Sequence, residues 1–176
     1  MQSDIREGEL VFSFQDARSL DKFDDVNTHG MAHAMKAVDF LAAFGPSTWL
    51  MEVKDPEDSG IPPEHANKER VRFLSELQSK KLVNDVLAPK LRDTLVYLAL
   101  AHRAPTNRIL YIAVIAVAEL DSALLLAATE ALKAKCYLPG PFKQLWASNF
   151  DVVVVNLESF NRAFEPHSVT RQPPNS

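Results

Sequence analysis

Asp39, Glu52 and Lys54 are the residues of this chain whose types and spacing point to chemistry. Asp39 lies in the run Lys36-Ala-Val-Asp39-Phe-Leu-Ala-Ala-Phe44. The other two close the run Thr48-Trp-Leu-Met-Glu52-Val-Lys54, and Gly45-Pro46 lies between the runs. Residues 35–44 and 48–54 read as the two strands of a hairpin about that turn. Asp39 and Glu52 each stand six residues from their side of the turn, so the ladder sets them opposite one another. Two carboxylates directly across a ladder repel, and a divalent cation between them removes the repulsion. The pairing belongs to a two-residue turn; a bulge or an odd-length loop shifts it by one residue.

Strand alternation sorts the remaining side chains. Leu50, Glu52 and Lys54 share one face, and Trp49, Met51 and Val53 make an apolar face suited to packing on a helix. Buried charge is costly unless it is paired or bound to metal. Lys54 neutralises one carboxylate, which leaves one net negative charge for Mg²⁺ or Mn²⁺ to offset, with Lewis acidity added. The chemistry expected is hydrolysis of a phosphodiester. Asp39 and Glu52 would ligate the metal through side-chain oxygens, and the Val53 carbonyl, at the same strand end, would be a further ligand. Lys54 would position or help deprotonate the attacking water and stabilise charge on the phosphate.

The elements that must hold these residues follow from pattern. Leu10-Val-Phe-Ser-Phe14 reads as a strand, and a short helix is expected around Ala17–Asp25. Asp55 to Pro63 contains Asp-Pro, Ser-Gly and Pro-Pro and is a loop. Val71, Leu74, Leu77 and Leu82 are roughly helix-spaced within residues 64–86. Pro89 suits the first turn of a second helix that runs to about His102. Residues 109–117 are continuously apolar and fit a strand buried on both faces, as do residues 151–156. Asp121 or Ser122 caps a helix to about Cys136, and Pro139-Gly-Pro141 then breaks the chain. Residues 1–165 are read as one α/β (α+β) domain, a mixed β-sheet flanked by helices, and residues 166–176 as a disordered tail.

Composition narrows the class. The 176 residues suit a single domain, and 47% hydrophobic residues with ten Phe and two Trp supply a core. No apolar stretch is long enough to span a membrane, and the acidic start is not a secretory signal. The single cysteine, Cys136, excludes an internal disulfide and cysteine-based zinc sites, so a cytoplasmic location is expected. The net charge of −4 is unevenly spread. Residues 1–58 hold 12 acids and 5 bases, and residues 59–176 hold 11 acids and 14 bases. The acidic part carries the candidate metal site, and the other could face phosphates.

With an acid in one strand and Glu-x-Lys ending the next, the chain resembles the PD-(D/E)xK nuclease superfamily, the restriction-endonuclease-like fold. Asp39 and Glu52-Val53-Lys54 carry the resemblance, which spans residues of about 9–117. Val38 stands where the family usually has proline. The resemblance implies Mg²⁺-dependent cleavage of DNA, often by a homodimer. It also implies a basic or amide residue on the helix after the triplet, for which Lys90 is the best-placed match, ahead of Arg92 and Gln78. The family's Glu on a leading helix has no counterpart, because only about eight residues precede the first strand. Glu7, Glu9, Asp24 and Asp25 are the possible substitutes.

Other residues read more plainly. His29 and His33 flank Gly30 and suit a surface or loop role rather than a metal-binding helix. Asp55 caps its own loop at Asp55-Pro56, and Trp146 and Phe142 form a packing plug. Lys68, Arg70, Arg72, Lys80, Lys81, Lys90 and Arg92 could meet phosphates, but acids interleave with them and explain some as ion pairs. There is no Gly-rich phosphate loop and no Gly-x-Ser-x-Gly elbow, and Cys136 reads as core. Two readings compete with an active nuclease. One is a nuclease-fold module that binds nucleic acid or a protein without cutting; the other is a purely structural network of Asp39, Glu52 and Lys54.

Overall fold

The computed structural model describes residues 1–25, 35–136 and 150–172. Within them the chain forms two β-sheets, four α-helices and a π-helical turn. The strands are β1 (Gln2–Glu7), β2 (Leu10–Gln15), β3 (Ser19–Lys22), β4 (Phe40–Ala43), β5 (Ser47–Lys54), β6 (Arg108–Ile115), β7 (Phe150–Asn156) and β8 (Ser168–Arg171). The helices are α1 (Pro63–Gln78), α2 (Ala88–Leu100), α3 (Ser122–Cys136) and α4 (Leu157–Ala163), with the π-helical turn at Val83–Leu87.

The larger sheet has the order β3-β4-β5-β6-β7, and the smaller one β1-β2-β8. β3, β4 and β5 pair antiparallel, whereas β5, β6 and β7 run parallel. Parallel neighbours need a crossover, which α1, the π-helical turn and α2 supply between β5 and β6, and α3 supplies toward β7. The strands feeding these crossovers read as apolar runs because both faces of the sheet are covered. One face, with Leu41, Leu50, Tyr111, Ala113 and Val154, packs under α1, α2 and α3. The other, with Phe40, Trp49, Met51, Ile112 and Val114, packs on Phe12 and Phe14 of β2 and Phe160 of α4.

Several expectations need correction. Trp49, Met51 and Val53 do form one buried apolar face, but it lies chiefly against the small sheet rather than a helix. The stretch expected to be a helix around Ala17–Asp25 instead contains β3, whose backbone pairs Ser19 with Ala43 and Lys22 with Phe40. Leu20 alone is apolar in that strand, so no period marks it. The few residues before β2 form β1, paired with β2 throughout its length. Residues 168–171, inside the expected disordered tail, are β8, paired with β2 from Leu10↔Arg171 to Ser13↔Ser168. The helix expected over residues 64–86 stops at Gln78, where Lys80 turns to a φ of 62°. A left-handed residue there ends the helix as glycine often does. The start of the next helix at Ala88-Pro89 agrees with the placement of proline in a first turn. His29, His33, Pro139-Gly-Pro141, Phe142 and Trp146 lie outside the described residues.

Candidate metal centre

The hairpin has the register that a Gly45-Pro46 turn demands. Phe40 pairs with Met51, Leu41 with Leu50, Ala42 with Trp49 and Ala43 with Thr48. The Phe44 amide closes the turn on the Ser47 carbonyl at 2.7 Å. The last step differs. The Asp39 amide donates to the Met51 carbonyl at 3.0 Å, so Asp39 and Phe40 both address Met51. Two residues against one is a bulge, and a bulge re-aims a side chain. The next amide, that of Val38, leaves the ladder altogether and donates to Thr94 Oγ1 of α2 at 3.1 Å.

The re-aimed Asp39 carboxylate is 5% exposed as a residue and well supplied with donors. Its Oδ2 accepts from the Val53 amide at 2.6 Å, and its Oδ1 accepts from Lys90 Nζ at 2.9 Å. Its backbone carbonyl takes the amides of Phe23 and Asp24 at 2.8 and 3.3 Å, which ties the bulge to the end of β3.

Glu52 is the contrast. It is fully buried in β5, beneath the helical layer. Its Oε1 lies 2.5 Å from Lys54 Nζ and 2.8 Å from Lys90 Nζ. Both contacts are ion pairs within hydrogen-bonding distance, and they fall on the same oxygen; among the described residues Oε2 has no hydrogen-bond partner. Burial pushes the Glu52 carboxyl up to about 7, and the Asp39 charge adds to the rise against the opposing pull of Lys54 and Lys90. For Lys90, burial works to lower the ammonium pKa, but the Glu52 and Asp39 carboxylates outweigh it and the pKa is raised. The ammonium therefore keeps its charge while the carboxyl beneath it is poised to lose or hold a proton near neutrality.

Lys90 reaches this point because α2 is pinned at its start. Tyr111, fully buried on β6, donates its hydroxyl to the Leu87 carbonyl at 3.0 Å, one residue before α2. Thr94 lies one helical turn beyond Lys90 on the same side and holds Val38. Neither Tyr111 nor Thr94 was expected at the site from sequence. The i, i+4 spacing of Thr94 from Lys90 is the one local signal that pointed to it.

The structure thus brings Asp39, Glu52, Lys54 and Lys90 together. The Val53 amide also joins the site, while its side chain stays in the opposite core. Lys54 uses its carbonyl toward β6, accepting from the Ala116 amide at 2.8 Å. By alternation the Val53 backbone groups face β4, on the Asp39 side, where a metal-ligating carbonyl would be needed. The charge count changes, however. Lys90 balances the carboxylate that Lys54 leaves over, so two acids meet two lysines with no deficit.

The lesser candidates separate. Arg92 is largely exposed, 3.7 Å from Asp93, and Gln78 is exposed at the end of α1. Glu7 is ion-paired to Lys22 of β3. Burial raises its pKa despite that contact, and the charge of Asp39 contributes to the rise, so the two carboxylates share one electrostatic neighbourhood. Asp24 approaches Asp39 through its backbone and Lys22 at 4.0 Å, and Asp25 is exposed. Asp55 does cap its loop, its Oδ1 accepting from the Glu57 amide at 3.1 Å. It belongs with Glu9 to a different cluster, organised by Arg171. Among the presumed phosphate binders, Arg70 pairs with Glu57, Arg72 with Glu69 and Lys81 with Glu76. Cys136 is core, and burial pushes its thiol up to about 11.

A divalent cation fits the donor set. Asp39 Oδ1 and Glu52 Oε1 already converge on a single cationic atom, and the unpartnered Glu52 Oε2 is a buried oxygen that lacks a donor. Such atoms are rare in native proteins, and an ion is one of the few things that satisfies them. Beside the Lys54 end lies a hollow of about 200 Å³ lined by Lys54, Asp55, Arg72, Phe73 and Glu76 among others. Among the described residues no helix is long and apolar enough to cross a membrane. Compared with protein-family models, curated proteins and solved structures, the chain matches none.

Proposed function

We propose that the chain is a Mg²⁺- or Mn²⁺-dependent endonuclease of restriction-endonuclease-like fold that hydrolyses DNA phosphodiester bonds. The observation that carries this reading is the convergence of Asp39 Oδ1 and Glu52 Oε1 on one cationic point, with Glu52 Oε2 buried and unpartnered beside it. Asp39, Glu52 and the Val53 carbonyl would hold the metal, which when bound supplies Lewis acidity toward a phosphoryl oxygen. The Val53 amide and the bulge fix the direction of Asp39. Lys54 stands with 27% of its side chain exposed, between the buried Glu52 and the open hollow. From there it orients the attacking water and donates to the phosphate as negative charge builds.

The test is plasmid cleavage in Mg²⁺ or Mn²⁺ by the wild type, Asp39→Ala and Lys54→Ala. Both variants are expected to lose on the order of 10²-fold or more in rate, the usual consequence of removing a charge-stabilising group. No cleavage by the wild type on several DNA forms, or undiminished cleavage by the variants, ends the enzymatic reading. One observation favours the second reading, a nuclease-fold module that binds nucleic acid or a protein without cutting. Lys54 and Lys90 balance Asp39 and Glu52 without any metal, and several expected phosphate-binding cations are occupied by acids.

A further inference from the structure

We infer that the centre is a cation-exchange site: the Lys90 ammonium holds the metal position until a divalent cation displaces it toward solvent, where it can meet a phosphodiester. The inference rests on the metal-dependent reading above and adds to it an order of events and a role for Lys90. Among the described residues, Lys90 Nζ is the one atom that touches both candidate ligands, at 2.9 Å from Asp39 Oδ1 and 2.8 Å from Glu52 Oε1. Lys54 touches only Glu52. A cation that takes both of these oxygens therefore replaces Lys90 and can leave Lys54 where it is.

The exchange is feasible on structural grounds. Lys90 is the third residue of α2, with 18% of its side chain exposed. It sits at the margin of the buried centre on a flexible four-carbon stem. Its hydrogen bond to Asp39 is replaceable by water once the ammonium is outside, and Lys54, 2.5 Å from Glu52 Oε1, still holds the other carboxylate. A single ammonium charge shared between two carboxylates is a weaker occupant than a dication that takes ligand oxygens directly.

Charge counting gives the exchange its consequence. With Lys90 in place, two carboxylates and two ammonium groups sum to zero. With a dication in place and Lys90 expelled, Asp39, Glu52, Lys54 and the metal sum to one positive charge, and the freed ammonium adds another at the rim. A neutral centre thus becomes one that attracts the polyanionic backbone of DNA only when loaded. The acidic balance of the chain as a whole makes such a local reversal more consequential.

The experiment pairs titration calorimetry of Mn²⁺ with amine labelling of the intact chain, read by mass spectrometry. Lys90→Met, which keeps the stem and removes the charge, is expected to bind Mn²⁺ on the order of tenfold more tightly than the wild type, since a competing charge within a few ångströms of the ligands is gone. In the wild type, labelling of Lys90 is expected to rise several-fold on saturation with Mg²⁺ while that of Lys54 changes little. If Mn²⁺ binds the wild type but Lys90 labelling stays constant, the exchange is overturned and the metal site survives it. Equal or weaker binding by a folded Lys90→Met variant overturns the exchange in the same way. If neither protein binds Mn²⁺, the exchange and the metal-dependent reading fall together. Should the variant not fold, wild-type labelling decides alone.

Discussion

Two clusters of acids and cations adjoin at Lys54 and Asp55 and solve the burial of charge in opposite ways. In one, Arg171 forks onto Asp55 with both terminal nitrogens at 2.8 Å and reaches Glu9 at 3.0 Å. Ser59 completes the Glu9 carboxylate, and hydrogen bonds from Ser59 and Arg171 hold that carboxyl below its usual range although burial opposes them. In the other, Glu52 is buried completely, both its ammonium contacts fall on Oε1, Oε2 has no hydrogen-bond donor among the described residues, and its pKa is raised. Glu9, Asp55 and Asp58 also group closely enough to hold an ion, but Arg171 and the Ser59 hydroxyl already serve Glu9 and Asp55, and Asp58 is tied to the Gly60 amide at 2.7 Å. Acid density alone does not mark a metal centre; a buried oxygen left without a donor is the stronger sign.

The largest test of this contrast is Glu52→Gln in the metal-free protein. The folded-state pKa of Glu52 lies above its unfolded value, so ionising it opposes folding. Its favourable share is complete below about pH 4.5 and lost as the pH rises through about 7. The variant escapes that loss. Measured by urea unfolding, it should gain about 3 kcal/mol on the wild type between pH 5 and pH 8. A difference that does not change with pH would mean that the lysines satisfy Glu52 after all.

Arg171→Met probes the other cluster and comes next in size. It removes the bidentate bond to Asp55 and should cost about 2 kcal/mol, in the range for hydrogen bonds to charged groups. Mn²⁺ affinity should stay at the wild-type value, and weakened Mn²⁺ binding would show that the two clusters are one functional unit. The smallest effect belongs to Thr94→Val, which strands the Val38 amide beneath α2. About 1 kcal/mol of stability should be lost, seen as a modest drop in the thermal midpoint. A larger loss would place the bulge at Asp39 under the control of α2 rather than of the hairpin.

The hairpin was legible in the chain because its determinants are local. A two-residue Gly45-Pro46 turn and strict alternation sufficed to pair the strands and to place Glu52 and Lys54 on one face. The bulge was not legible, since beside it the Val38 amide leaves the ladder for Thr94, more than fifty residues away. Lys90 could be placed on the right helix from Pro89, but its position between the carboxylates follows from the Tyr111–Leu87 bond and the left-handed Lys80. β1, β3 and β8 escaped notice for a different reason. They are short or edge-like strands with few apolar residues, and pairing with distant partners, rather than an apolar period, makes them strands.

The pairing of β8 with β2 has a consequence for how the molecule is made. β2 contributes Phe12 and Phe14 to the cover over Trp49 and Met51, yet its outer neighbour is synthesised more than 150 residues later. While the chain emerges from a ribosome, this aromatic layer must wait with one sheet edge open until β8 arrives. Such a distant closure slows folding and leaves an adhesive edge exposed in the meantime. Slowing translation near residue 160 should therefore alter the yield of native protein more than it would for a fold closed by neighbouring strands.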